Sequence, residues 1–238
     1  MTRLWVLGLA AGVLLWVPDS SAAPTDQAKV KEALRELQDF IGGWKGSGSK
    51  RLNPGPRDTF WSETVRWNWR FQGDDCWLQV EFAGGKLFNS AEIRYRPERK
   101  TYQLIATPVG GKGRLVFDGT LKDEKLTFER ADDKAKEVQR VRMNTAAEGV
   151  RFIYIVDRKS EGGTIWRTEA MVQSTKEGES LARKEKKGPE CVVSGGLGTT
   201  TVSYMGETFY VCCSGCAEAF KENPKKYVEE FKARKGKK

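Results

Sequence analysis

Residues 64–82 read TVRWNWRFQGDDCWLQVEF. Val65, Trp67, Trp69 and Phe71 alternate with Arg66, Asn68 and Arg70. Past a turn at Gly73, Asp74 and Asp75 the alternation resumes, with Cys76, Leu78, Val80 and Phe82 set against Trp77, Gln79 and Glu81. Successive side chains of a strand point to opposite faces, so a period of two gives each strand one apolar and one polar face. A short polar turn between two such runs predicts an antiparallel hairpin.

The same period recurs in AEIRYR, TYQLIA, GRLVFDG, KLTFER, VQRVRM, VRFIYIV and TIWRTEAMV, separated by the short stretches PERK, VGGKG, LKDE, TAAEG and RKSEGG. Counted from Trp44, about ten antiparallel strands fill residues 43–173. A meander of strands that are apolar on one face closes most simply into an up-and-down barrel, which removes the exposed edges. Such a barrel can enclose a small apolar ligand or be plugged by its own aromatic side chains. Ahead of it, DQAKVKEALRELQDFIGGW (residues 26–44) carries Val30, Ala33, Leu34, Leu37 and Ile41 at helical spacing behind Asp26. One amphipathic helix of three or four turns, capped by Asp26, is expected.

The stretch IGGWKGSGSK, with Gly42, Trp44, Gly46 and Gly48, resembles the first strand of lipocalin-like and nitrobindin-like barrels. There a helix leads into a G-x-W turn and glycines relieve crowding on a bent strand. Nitrobindin binds haem through a histidine; this chain has no histidine, so no haem is expected. The fold class that follows is mainly β: a ten-stranded, lipocalin-like barrel with its N-terminal helix over residues 26–173, joined to a small α+β unit.

The first residues, MTRLWVLGLAAGVLLWVPDSSAAP, place a basic Arg3 before an apolar run from Leu4 to Val17 and small residues at Ser20 to Ala23. This reads as a cleavable signal peptide over residues 1–22, cut after Ala22 or Ala23, because the run is shorter than the ~18 residues a spanning helix needs. The protein is therefore expected in the periplasm or secreted, and not transmembrane. Lys and Arg number 41 against 32 Asp and Glu, a net charge of +9. The excess is scattered, without a basic-aromatic stripe, so a solvated surface or an anionic envelope surface is expected and nucleic acid is not. Apolar content is only 39%, yet 8 Trp supply large buried areas, so a real core is expected.

From residue 174 the alternation stops, and STKEGESLARKEKKGPE (174–190) reads as a charged linker. Residues 191–238 are too few to stand on an apolar core without a staple. Thr199 to Tyr204 and Thr208 to Val211 form a hairpin across Met205, Gly206 and Glu207; CSGCAEAF starts a short helix, and Asn223 and Pro224 open another through Phe231. Four of the 5 Cys lie at the edges of this unit: Cys191 before the hairpin, then Cys212, Cys213 and Cys216 where hairpin passes into helix. A loop thiol on one side and thiols around a helix start on the other can converge on a metal, and a helix N-terminus favours the thiolate form.

This stretch strongly resembles the small metal-binding domains called YHS and TRASH. Their pattern is a Cys in a C-P-V-x-G-like loop, a gap of about twenty residues, then Y-F-C-C-x-x-C-x-x-x-F and x-x-P-x-x-Y. Here Cys191 opens CVVSG, twenty residues separate it from Cys212, and Phe209 to Phe220, Pro224 and Tyr227 complete the series over residues 190–232, with Val192 in place of the usual proline. The resemblance implies a treble-clef-like fold and heavy-metal handling, with ligands on Cys191, Cys212 and Cys216 and Cys213 as an auxiliary or competing thiol. An all-sulfur set favours soft ions: three thiolates suit trigonal copper(I) or mercury(II), four suit zinc(II). Copper(I) stands first on family grounds and zinc second.

Other readings of the same residues stay open. Export places these thiols where disulfides form, so Cys191 could bridge to Cys212 or Cys216, and a bound metal could be purely structural. The protein would then be a lipocalin-like carrier with a disulfide or zinc module as its tail. Cys76 reads as a small buried hydrophobe, Trp67 and Trp69 as core, and Asp74-Asp75 and Asp132-Asp133 as turn residues. Without histidine, Ser-His and Cys-His pairs are impossible, and Cys213-x-x-Cys216 lacks a thioredoxin-like context. The expectation is an exported, non-enzymatic protein that sequesters, delivers or senses a soft metal, with the barrel binding a ligand or an envelope protein partner.

Overall fold

The computed structural model describes residues 25–111, 113–178 and 188–236. The apolar leader expected to be a signal peptide and the middle of the charged linker lie outside these described residues. Helix α1 (Asp26–Arg35) and a 3-10 turn (Gln38–Phe40) precede ten strands: β1 (Gly42–Ser49), β2 (Phe60–Gln72), β3 (Asp75–Ala83), β4 (Phe88–Arg96), β5 (Thr101–Pro108), β6 (Leu115–Lys122), β7 (Lys125–Asp132), β8 (Glu137–Ala146), β9 (Arg151–Ser160) and β10 (Arg167–Lys176). They form one closed antiparallel barrel in which each strand pairs with its sequence neighbours and β1 pairs with β10. The last strand runs to Lys176, and Glu177 N–H still donates to Gly43 O, so the ladder continues past the 173 at which the alternation was expected to stop. Among the described residues no helix is long and apolar enough to cross a membrane.

The alternation read from sequence is the burial pattern. Val65, Trp67, Trp69, Leu78, Val80, Ile93, Leu104 and Phe128 are fully buried. Rings fill the interior in a continuous series, Phe40 to Trp67 to Phe152 to Tyr154 to Phe82, with centroids 5.0–5.9 Å apart. The glycines of β1 answer to close approach: a Cβ at Gly48 would fall 2.2 Å from the Trp61 ring. Between β6 and β7, Asp123 and Glu124 both take left-handed φ, 49° and 61°, the twist of a two-residue primed turn.

The N-terminal helix differs from expectation at both ends. Its N-cap is Thr25, whose Oγ1 accepts from Ala28 N–H, and Asp26 is the first helical residue, where its charge suits the helix dipole. The helix breaks after three turns, and the 3-10 turn swings Phe40 and Ile41 over the barrel mouth. Trp44 Nε1 donates to Phe40 O at 2.8 Å and Tyr102 OH to Ala33 O at 2.9 Å, fixing this plug from within.

The C-terminal unit comprises β11 (Thr200–Tyr204), β12 (Glu207–Val211), α2 (Ser214–Glu222) and α3 (Pro224–Gly236). Asn223 Oδ1 accepts from Lys226 N–H as expected of a cap, but α3 runs to Gly236, beyond the expected Phe231. The unit does not hang from a tether; its apolar residues join the barrel's in one continuous core. Its seat is the end of β2. Strand β1 pairs with β2 only as far as Trp67, so Asn68 to Gln72 overhang, and α2 packs there. Gly215 approaches so closely that a Cβ would sit 1.7 Å from Trp69 O. Ser214 Oγ donates to Asn68 Oδ1, Arg70 pairs with Glu218 at 3.0 Å, and Lys31 pairs with Glu230 at 3.2 Å.

Candidate metal centre

Two segments build the site. The first is the turn after Cys191, held by Gly195 N–H donating to Cys191 O and by Cys191 N–H donating to Gly196 O. This turn aims Ser194 N–H at Cys191 Sγ, 3.4 Å away. The second is the junction of β12 and α2, where Cys212 ends the hairpin, Cys213 is the N-cap and Cys216 lies in the first helical turn. Val192 N–H donates to Tyr210 O, which locks the turn against β12 and sets the two segments face to face.

The Sγ atoms of Cys191, Cys212 and Cys216 all lie within 4.8 Å of one another, and all three residues are buried. Cys212 Sγ is 3.6 Å from Cys216 Sγ. Cys213, partly exposed, stands 3.9 Å from Cys212 Sγ and outside the mutual triad. Every one of the five cysteines is a free thiol. Cys76, at the start of β3, lies outside the triad; it faces a crevice of about 220 Å³ beside Tyr227 and Lys31, and burial pushes its thiol up to about 11. Asp74 lies in a hairpin turn, where it faces Gln27 and Lys226, and Asp132 accepts from Ala135 N–H in its own turn.

Residue types missed by sequence reasoning complete the site. Ser194 is fully buried and its Oγ lies 3.3 Å from Cys212 Sγ, so one small residue touches two of the three thiols. The available signal was its position three residues after Cys191, where a tight turn returns an N–H to the first sulfur. Arg35 of α1 donates through Nε to Ser194 O at 2.7 Å, tying the barrel's helix to the turn.

The thiols lie within hydrogen-bonding reach of one another, Cys212 with both Cys213 and Cys216. Cys191 is pulled well below the ordinary thiol value, chiefly by hydrogen bonds from Cys212 and then Cys216, and Cys213 is pulled down by the same pair with help from the Cys216 and then the Trp69 backbone N–H. Cys212 is pushed up by its bond to Cys191, and Cys216 mainly by burial. A soft cation that replaces the thiol protons of such a set satisfies all of its sulfurs together. The three buried thiols fit a trigonal soft ion as they stand; a tetrahedral ion would need Cys213 to swing in. A cleft of about 230 Å³, lined by Gln38, Gly43, Glu177 and Thr199, reaches Cys212 from outside.

No family model matches the chain, and no curated protein matches it. Among solved structures, Rv2717c from M. tuberculosis is similar, with 17% identity and a TM-score of 0.40 over 61% of this chain and 97% of that one.

Proposed function

We propose that this is an exported protein that binds a soft metal ion, copper(I) ahead of zinc(II), through Cys191, Cys212 and Cys216, and that it sequesters, delivers or senses that ion without catalysing a reaction. The observation that carries the reading is the convergence of three buried thiols from two chain segments, with Ser194 donating to one and touching another. Thiolates select soft ions. The resemblance of residues 190–232 to YHS and TRASH domains supports the same reading, and the basic-apolar-small order of residues 1–22 supports export. A carrier role for the barrel is the weaker reading, because aromatic rings in mutual contact run through its interior. The barrel serves instead as the platform on which α2 and the Cys191 turn are held, and as a surface for an envelope partner.

The test is native mass spectrometry of the protein isolated from an exported compartment, before and after mild acid. A metal mass lost with acid, and lost also in the Cys212→Ser/Cys216→Ser variant whose barrel still gives a folded circular dichroism spectrum, is the expected result. A metal-free protein lighter by two hydrogens per bridge, restored by reductant, would make the cluster a structural staple.

A further inference from the structure

We propose, resting on the metal-binding reading above, that the cleft between the barrel mouth and the C-terminal unit is the doorway of the metal site, through which a small free thiol reaches Cys212 and takes its place on the bound ion.

Exposure singles out Cys212. Cys191 and Cys216 have no exposed surface, whereas Cys212 keeps 8% of its own. Cys212 also lines the cleft of about 230 Å³ between the two units. One wall belongs to the barrel, with Gly42 and Gly43 of β1 and Glu177 just beyond β10; the other belongs to the C-terminal unit, where Leu197 and Thr199 lead to Cys212. Both walls are pinned. Glu177 N–H donates to Gly43 O at 2.8 Å, and its carboxylate pairs with Lys45 at 3.1 Å. A Cβ at Gly43 would fall 2.1 Å from Glu177 Oε2, so glycine is what leaves that carboxylate where it stands. On the other side Thr199 N–H donates to Val211 O at 2.8 Å, and the Thr199 hydroxyl donates to Cys212 O at 3.4 Å. The opening is therefore built into the fold: barrel closure sets one side of it and the hairpin sets the other.

Size and coordination name the incoming ligand. The cleft is smaller than the ~300 Å³ at which sites for drug-sized ligands begin, so it suits one small molecule and not a protein domain. Three sulfurs leave one position of a soft ion open, the arrangement by which metal sites accept an outside ligand. A ligand that competes with thiolate for such an ion must itself be soft, which points to a thiol. The exchange balances: a metal–sulfur bond to the incoming thiol forms as the bond to Cys212 breaks, the incoming thiol gives up a proton as the Cys212 thiolate takes one, and no electron moves. The barrel then has a direct part in the site, as half of its entrance.

The test uses the reduced full chain under anaerobic conditions and two readings. One is the rate at which copper(I) leaves the loaded protein for a chromophoric chelator as free cysteine is added. The other, on the metal-free protein, is the rate at which dithiodipyridine modifies Cys212, read by peptide mass spectrometry. Both are made in a Cys213→Ser background, where serine keeps a favoured N-cap and the partly exposed Cys213 cannot answer for the cleft. Transfer should rise with cysteine concentration. Thr199 is exposed, so Thr199→Trp sets a ring at the rim of the cleft. Both rates should then fall about tenfold, the effect of ~1.4 kcal/mol of added barrier, with copper affinity unchanged. Thr199→Val, which loses the same hydroxyl without the bulk, should keep the rates of the background. Three results would overturn the doorway while leaving the metal site: transfer independent of cysteine, rates in Thr199→Trp equal to the background, or cysteine-driven transfer that disappears with Cys213→Ser alone. A chain that takes up no copper(I) would overturn the metal reading and the exchange with it.

Discussion

Ser194 Oγ and Cys212 Sγ lie 3.3 Å apart although eighteen residues separate them in the chain. The contact joins the turn after Cys191 to the start of α2, the two pieces that must meet for the thiols to converge. Ser194 also donates its backbone N–H to Cys191 Sγ, so it orients two sulfurs from one buried position.

Replacing Ser194 with Ala removes the hydroxyl and keeps the backbone donor. Outer-shell hydrogen bonds of this kind typically hold about 10- to 100-fold of metal affinity. Ser194→Ala should weaken metal binding about tenfold without changing stoichiometry or barrel stability, as measured by competition with a chromophoric chelator. An unchanged affinity would mean that the sulfurs are positioned by the backbone alone.

Gly215 has no room for a side chain, because its Cβ would fall 1.7 Å from Trp69 O, a backbone atom that the barrel holds in place. Gly215→Ala must therefore lift α2 from the β2 overhang. Overpacking of this kind costs about 1–3 kcal/mol. Denaturant unfolding should show that loss, and amide exchange at Asn68 to Gln72 should quicken while exchange in β5 to β8 stays the same.

Glu63 sits inside the barrel, 2% exposed, and accepts from Trp61 Nε1 at 2.8 Å and Tyr154 OH at 2.6 Å. Burial raises its carboxyl above the ordinary 4.5, against the two hydrogen bonds that lower it. The folded state thus holds a proton that the unfolded chain releases, so this group's contribution favours folding below 4.5 and is lost as pH rises through the raised value. Glu63→Gln removes the titration and keeps the partners, since its oxygen accepts from Trp61 and its amide donates to the Tyr154 oxygen. Stability of the variant relative to the parent should therefore improve as pH rises from 4 to 8 in paired thermal melts; a constant difference would contradict the raised carboxyl.

Cys76 is 4% exposed, and its thiol is pushed up to about 11 by burial, so little thiolate is present at pH 8. Iodoacetamide at pH 8 should leave Cys76 unmodified in the folded protein and alkylate it fully in denaturant, as read by peptide mass spectrometry. Rapid labelling in the folded state would show that the crevice between α1 and α3 opens readily.

Much of the barrel was legible because period-two alternation is a local property: Val65, Trp67 and Trp69, or Leu78, Val80 and Phe82, announce one buried face without knowledge of any partner strand. Closure was legible because sequential hairpins leave β1 and β10 as the two unpaired edges. Asn68 was not legible as a buried residue. By alternation it belongs to the outer face, yet it is 6% exposed because α2 lies on it, and only the docked C-terminal unit makes it so. The helix start failed for a local reason: Thr25 and Asp26 are both good caps, and the choice rests on which side chain meets the Ala28 N–H.

The cysteine spacing named the thiols capable of meeting, since Cys212, Cys213 and Cys216 are tied by the helix start and Cys191 by the hairpin before it. Which of them form the buried triad is set by side-chain direction and by the turn at Ser194, held in turn by Arg35 from a helix 159 residues away in the chain. By itself, then, the sequence determined the strand count, the apolar faces and the inventory of sulfur donors, all written in neighbour-to-neighbour periodicity. Only the tertiary structure decided that the small unit seats on the overhang of β2, that Ser194 supports two sulfurs, and that Cys213 stands outside the buried triad, because each depends on contacts between segments that no local pattern relates.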